Sequence, residues 1–242
     1  MLSPTGRCRT WAPMPTGMHM DGDEVLSVIR EIGVNHDGRT KGLTMPSAAA
    51  QAAFILQTYA KAGLDLTKRA DRCQFFEAHG TGTAVGDPQE AEAISSVSFS
   101  PESGTDLEEI LVGSIKTVVG HTEGAAGVAG LIKTTLALRE GIALPNLLFN
   151  RLNPALEPFV SHLRIPTSCE PWPEVAEGGM LRASANSFGF GGSNAHVILE
   201  SFAEDKTQTK DEDDKEGGKD EGSSTFSVPV PFVFSSASKP SL

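Results

Sequence analysis

The sequence predicts an α/β layered fold. Two observations carry this. Short apolar runs rich in β-formers alternate with longer alanine-rich stretches that have helix start and stop signals. A glycine-rich turn near residue 190 sits between two apolar runs and reads as strand, turn, strand. The chain has 242 residues and 39% hydrophobic content, enough for one packed domain with a tail.

The elements follow in order. Residues 1–23 hold three prolines and no period, and read as irregular. EVLSVIREIGVN reads as a strand leading into the turn NHDG. MPSAAAQAAFILQTYAKAGL reads as a helix that Pro46 or Ser47 starts and Gly63 stops. CQFFEA is a short strand. DPQEAEAISSVSF is a helix in which Asp87 caps, Pro88 takes the first position and Glu90 completes a capping box. EILVGSIK is a continuous apolar strand. GHTEGAAGVAGLIKTTLALREG is a helix, with Lys133 the only charge between Glu123 and Arg139, and is apolar enough to be buried on most faces.

Bulk properties narrow the function. Net charge is −11, which argues against a nucleic-acid partner, because phosphate binding needs clustered Lys and Arg. Residues 203–222 carry nine Asp/Glu and four Lys and predict a disordered acidic segment. Cys8, Cys73 and Cys169 are few and far apart, as expected in a reducing compartment without a disulfide framework. The first 20 residues lack an apolar leader core, and no run approaches the about 18 apolar residues of a membrane span. The expectation is a cytoplasmic protein with no membrane partner.

Three motifs concentrate the chemistry: EAHGTGT (Glu77 to Thr83), VGSIKTVVGHTEGAAG with Lys116 and His121 five apart, and NSFGFGGSNAH (Asn186 to His196). Each has a plain alternative. A strand-end histidine is often structural, a lysine in an apolar stretch often snorkels, and a glycine turn is often only a turn. A dinucleotide loop is excluded because GFGGSNA precedes a strand pattern, not a helix. Metal binding fits poorly, because His79, His121 and His196 lack paired-ligand spacing.

Together the three motifs resemble the C-terminal half of a β-ketoacyl synthase domain, in the style of modular and fungal iterative type I polyketide synthases. The resemblance starts at SPTGRCRT, includes GVNHDGRTKGLTMPS and ends near Glu200. It implies one half of a thiolase-like layered fold (αβαβα) and decarboxylative Claisen condensation of acyl and malonyl thioesters. It implies no cofactor bound by this domain; the substrates ride on the phosphopantetheine of an acyl carrier protein, the expected partner. By resemblance His79 and His121 donate to the malonyl thioester oxygen, Lys116 organises the polar network, and Thr81 and Thr83 bind the pantetheine arm. Phe190 supplies an oxyanion N–H and a gate, flanked by Gly189 and Gly191.

The family nucleophile, a cysteine in a motif like T-A-C-S-S, has no match among the three cysteines. The family's glycine-rich segment between Trp11 and Glu24 is also replaced, and His36 stands where the family usually has glutamine. The expected organisation is therefore a remnant of the first ketosynthase half (1–23), the C-terminal half (24–202), an acidic linker (203–225) and the start of a linker to an acyltransferase domain (226–242). Such a chain is expected to be inactive alone. The missing half or other synthase domains are its expected partners, with homodimerisation in the parent. Alternatives are a complementing subunit of a split synthase, a non-catalytic carrier-binding protein, or a residual malonyl decarboxylase.

Overall fold

A computed structural model describes residues 25–38, 42, 45–98, 109–175 and 179–202. The expectations for 1–23, 203–225 and 226–242 fall outside the described residues.

The described residues form eight strands and four α-helices, alternating from β1 to α3 and followed, after α4, by strands alone apart from a short 3-10 turn. The strands are β1 (Val28–His36), β2 (Phe75–Glu77), β3 (Ile110–Gly113), β4 (Ile142–Ala143), β5 (Leu163–Arg164), β6 (Glu170–Pro171), β7 (Arg182–Phe188) and β8 (Ser193–Glu200). The helices are α1 (Ala48–Ala62), α2 (Gly86–Ser98), α3 (Lys116–Val119) and α4 (Ala126–Glu140). Six strands form one mixed sheet in the order β1-β8-β7-β2-β3-β5. Strand β2 runs parallel to both neighbours, β3 and β7, while β8 is antiparallel to β7 and β1. Strands β4 and β6 form a separate antiparallel pair.

The side-chain alternation of a strand divides the core in two. Phe76 and Ile198 join Ile55, Tyr59, Ala91 and Ile94 of α1 and α2 on one face. Phe75 and Leu199 join Ala137 and Leu138 of α4, with Trp172, on the other. The result is helix, sheet, helix, the layering predicted by the alternating pattern. Helix α1 begins and ends as its sequence indicates: the Ser47 side chain accepts from Ala50 N–H, and Gly63 closes the helix at φ 74°. In NHDG, by contrast, Asn35 and His36 extend β1 and pair with Asn194 and Ser193, and Asp37 N–H bonds to Gly192 O, so the expected turn does not begin at Asn35.

Three element expectations need correction. Strand β3 ends at Gly113, so Lys116 opens the short helix α3 instead of ending a strand. The long apolar helix starts at Ala126, not Gly120, because Gly120 (φ 73°) and Glu123 (φ 51°) adopt backbone conformations that no α-helix contains. Helix α2 starts at Gly86, whose N–H is taken by the Thr83 hydroxyl, while Asp87 and Glu90 turn back to the preceding loop.

Helix α4 is buried on one face only. Val128, Ile132 and Leu136, at i, i+4 and i+8, are 57%, 55% and 42% exposed. Ile29, Ile32 and Val34 of the edge strand β1 are exposed too. The helix expected to be buried on most faces therefore buries only one within these residues. No helix among the described residues is long and apolar enough to cross a membrane.

A pair of substitutions separates the two faces of α4. Leu138→Ala, at a buried site, is expected to lower unfolding free energy by about 2–5 kcal/mol. Ile132→Lys, on the open face, should change it by less than about 0.5 kcal/mol. Urea titrations of the two variants beside the parent chain measure both.

Candidate active site

The site forms where the parallel strands β2 and β3 end. Strand β2 delivers Glu77, and two residues on His79 enters a loop of small and hydroxylated residues. Gly80 passes this loop over β3: a Cβ there would lie 2.8 Å from Ser114 Cβ, and its φ is 46°. Only glycine fits so close a passage without displacement.

The loop is held from helix α2. Glu90 Oε1 accepts from His79 N–H at 2.8 Å, and Oε2 from Gly80 N–H at 2.9 Å. Asp87 Oδ1 accepts from Gly82 N–H at 3.1 Å. Asn186 donates its amide to Glu90 Oε1 at 2.9 Å, and its carbonyl faces His196 Nδ1 at 2.6 Å. A carbonyl oxygen accepts only, so His196 carries its proton on Nδ1. The buried relay therefore runs from His196 through Asn186 and Glu90 to the His79 backbone. Burial pushes the Glu90 carboxyl up, and the donors from Gly80, Asn186 and His79 oppose that shift.

His79 and His121 meet edge to face, with ring centroids 5.5 Å apart and planes at 84°. His121 Nδ1 accepts from Glu123 N–H at 3.0 Å, so a neutral His121 carries its proton on Nε2 and can donate from there. His79 Nδ1 is buried without a hydrogen-bond partner. Burial, then the charges of Lys116 and His121, lower the His79 pKa to about 4. Neutrality near pH 7 is therefore built into His79. Lys116 is half-buried; burial lowers its pKa, against the pull of Glu90, Glu77 and Asp87.

The other expected site residues are placed more loosely. The Thr81 and Thr83 hydroxyls lie 3.3 Å apart on the exposed loop, and Thr83 also accepts from Gly86 N–H. Gly189 N–H bonds to Ser193 O at 2.6 Å and closes the glycine turn, while Gly191 takes φ 108°. The Phe190 ring is 90% exposed. Phe188, from the same motif, is the ring that packs on His79, at 6.1 Å.

Sequence reasoning missed several residues. Glu90 was assigned to a capping box, because the helix-start signature and a carboxylate reaching back to a loop share the same spacing. Asn186 stood out only as the first residue of the third motif, and Asn146 carried no signal: Asn146 accepts from Ser114 N–H at 3.0 Å and anchors the start of the second motif. Glu77 and Lys133 did carry one, each being a lone charge in an apolar element, and they form a buried ion pair.

Comparison with known proteins agrees with this architecture. Chains of solved structures with the same fold include the oxazolomycin ketosynthase domain KS7 of Streptomyces albus (40% identity, TM-score 0.68, 76% of this chain and 31% of that chain). The ketosynthase from module 6 of the bacillaene synthase of Bacillus subtilis is similar too (37% identity, TM-score 0.67, 76% and 33%). The fold class is thus that of ketosynthases, which is thiolase-like. The beta-ketoacyl synthase C-terminal domain matches residues 26–150, and the ketoacyl-synthetase C-terminal extension matches 153–239. This chain belongs to the beta-ketoacyl synthase family, as a C-terminal ketosynthase part. Its relatives include the fusarielin synthase of Gibberella zeae (51% identity, all of this chain and 10% of that protein). The polyketide synthase component of compactin nonaketide synthase of Penicillium citrinum is another (52% identity, 84% and 7%). The chain spans about a third of the solved ketosynthases and a tenth or less of these fungal relatives.

Two titrations test the electrostatics. Lys116→Met removes a positive charge near His79, so the His79 pKa should rise from about 4 toward the ordinary histidine value, followed by NMR of the imidazole carbons. His196 is also held neutral by burial, with a pKa of about 3. The unfolded chain protonates this residue near pH 6.5, so its contribution to stability is present above that pH and lost as pH falls toward 3. Between pH 6 and 4 the stability of His196→Asn should fall less steeply than that of the parent, by about 1.4 kcal/mol per pH unit.

Proposed function

We propose that this chain supplies the decarboxylation side of a polyketide ketosynthase centre. The supporting observation is the edge-to-face pair His79 and His121, one ring held neutral and the other with Nε2 free to donate. Loss of CO2 from a malonyl thioester places negative charge on the thioester oxygen. Two imidazoles donating N–H bonds to that oxygen lower the barrier, because the donors are already oriented. A charged His79 would be a poor design for this, since protonation would cost its buried environment and repel Lys116.

The rest of the site takes supporting roles in this reading. Burial keeps His79 unprotonated, and the charge of Lys116 adds to it. Thr81 and Thr83, on the open loop beside His79, hydrogen-bond the phosphopantetheine arm of an acyl carrier protein. The turn Gly189–Phe190–Gly191 supplies an oxyanion N–H for the acyl thioester, with the exposed Phe190 ring as its gate. The nucleophile comes from outside this sequence. Cys73 is buried and burial pushes its thiol up, Cys169 is exposed, and Cys8 lies outside the described residues. A nucleophilic thiol needs the opposite shift. Condensation therefore requires the other ketosynthase half, and the apolar faces of α4 and β1 are the surfaces it would cover.

The test joins this chain to the N-terminal ketosynthase part of a fungal relative and measures CO2 release from malonyl carrier protein. His79→Ala and His121→Ala should each lower the rate by about 10²–10³-fold, the loss typical of one oriented donor. A His79→Ala rate within twofold of the parent would sink the reading. Protonation of His79 should contribute an acid limb to the rate near pH 4.

A further inference from the structure

The centre of the domain holds an ion pair that the proposed chemistry does not use. Lys133 Nζ lies 2.6 Å from Glu77 Oε2, with the two side chains 5% and 2% exposed. Such a pair is weak evidence for stability, because removing both charges from water offsets their attraction, and apolar residues of similar volume often serve as well. What the pair touches is more informative.

Glu77 ends β2, two residues before His79. Its other oxygen, Oε1, accepts from Ile115 N–H, immediately before Lys116. Lys133 belongs to α4, the helix that follows His121, and also lies 5.1 Å from the centre of the Phe75 ring. Two glycines leave room for the pair. A Cβ on Gly130 would lie 3.2 Å from Glu77 Cγ, and one on Gly113 would lie 3.1 Å from Lys133 Nζ. The segments carrying His79, Lys116 and His121 thus meet at one buried carboxylate. Burial pushes that carboxyl up, and Lys133 is the largest influence against it.

We propose that Glu77, held in place by Lys133, is a positioning residue that fixes the Lys116–His121 segment against the His79 strand through the Ile115 amide. The inference rests on the function proposed above. Glu77 reaches neither imidazole; it acts on where the second motif sits relative to the first.

Two double variants isolate this role. E77Q/K133M removes both charges but keeps an amide oxygen for Ile115 N–H. E77M/K133M removes both charges and the acceptor, at similar volume. In the joined ketosynthase, E77M/K133M should have at least about tenfold lower kcat for malonyl decarboxylation than E77Q/K133M, because small misplacement of reacting groups is expensive in rate. KM for malonyl carrier protein should be the same in both. In the 242-residue chain alone, the His79 titration should stay near pH 4 in E77Q/K133M and move upward in E77M/K133M. Equal kcat, or equal His79 titrations, would overturn the proposal. An inactive parent assembly would count against the function proposed above, while the titration would still decide the positioning role. If E77M/K133M does not melt cooperatively, Ile115→Pro deletes the same hydrogen bond from the donor side, at a residue whose φ of −57° already suits proline. It should give the same two readouts.

Discussion

Glu90 takes three N–H donors, from His79, Gly80 and Asn186, in a position almost closed to water. A buried carboxylate without such donors would protonate or open the fold. With them it becomes a rigid anchor, and the loop after β2 has no freedom to drift. The loop is otherwise bare, since its residues are glycine, threonine and alanine and few of them pack. Its order is imposed from helix α2, and the orientation of His79 follows from that.

The same economy appears at the second motif. Asn146 holds Ser114 N–H and Glu77 holds Ile115 N–H, so consecutive amides are pinned from two directions. His121 lies beyond the short α3 helix, and Glu123, at a positive φ, turns its own N–H back to the ring. Two histidines 42 positions apart in the chain are thereby brought to a fixed mutual angle by backbone amides and buried carboxylates. Neither ring depends on a long flexible side chain for its place.

Open apolar surface accompanies this internal order. The stripe on α4 and the outer side chains of β1 are more apolar than a solvent face requires. Helix α4 satisfies the sheet with one face and offers the other. The domain looks finished around its polar centre and unfinished at these edges, as expected of a part spanning about a third of the solved ketosynthases.

Much of this was legible in the sequence. The period of Ala48–Ala62, with Ser47 before it and Gly63 after it, determines α1, because caps and periodicity are local. The three motifs and the family resemblance singled out His79, His121 and Lys116, whereas α4, apolar enough in sequence to expect burial on most faces, buries only one. Tertiary structure alone decided the rest. Whether Glu90 caps its own helix or clamps a neighbouring loop cannot be read from spacing, since both use a carboxylate in the first turn. That Phe188 and not Phe190 packs on His79 depends on which way each residue of the strand and turn faces. The pairing of Glu77 with Lys133 spans 56 residues and exists only because α4 packs on the face of the sheet that carries Phe75 and Glu77. Local propensity acts over a few residues, whereas burial and charge pairing act across space, and the site is made by the second.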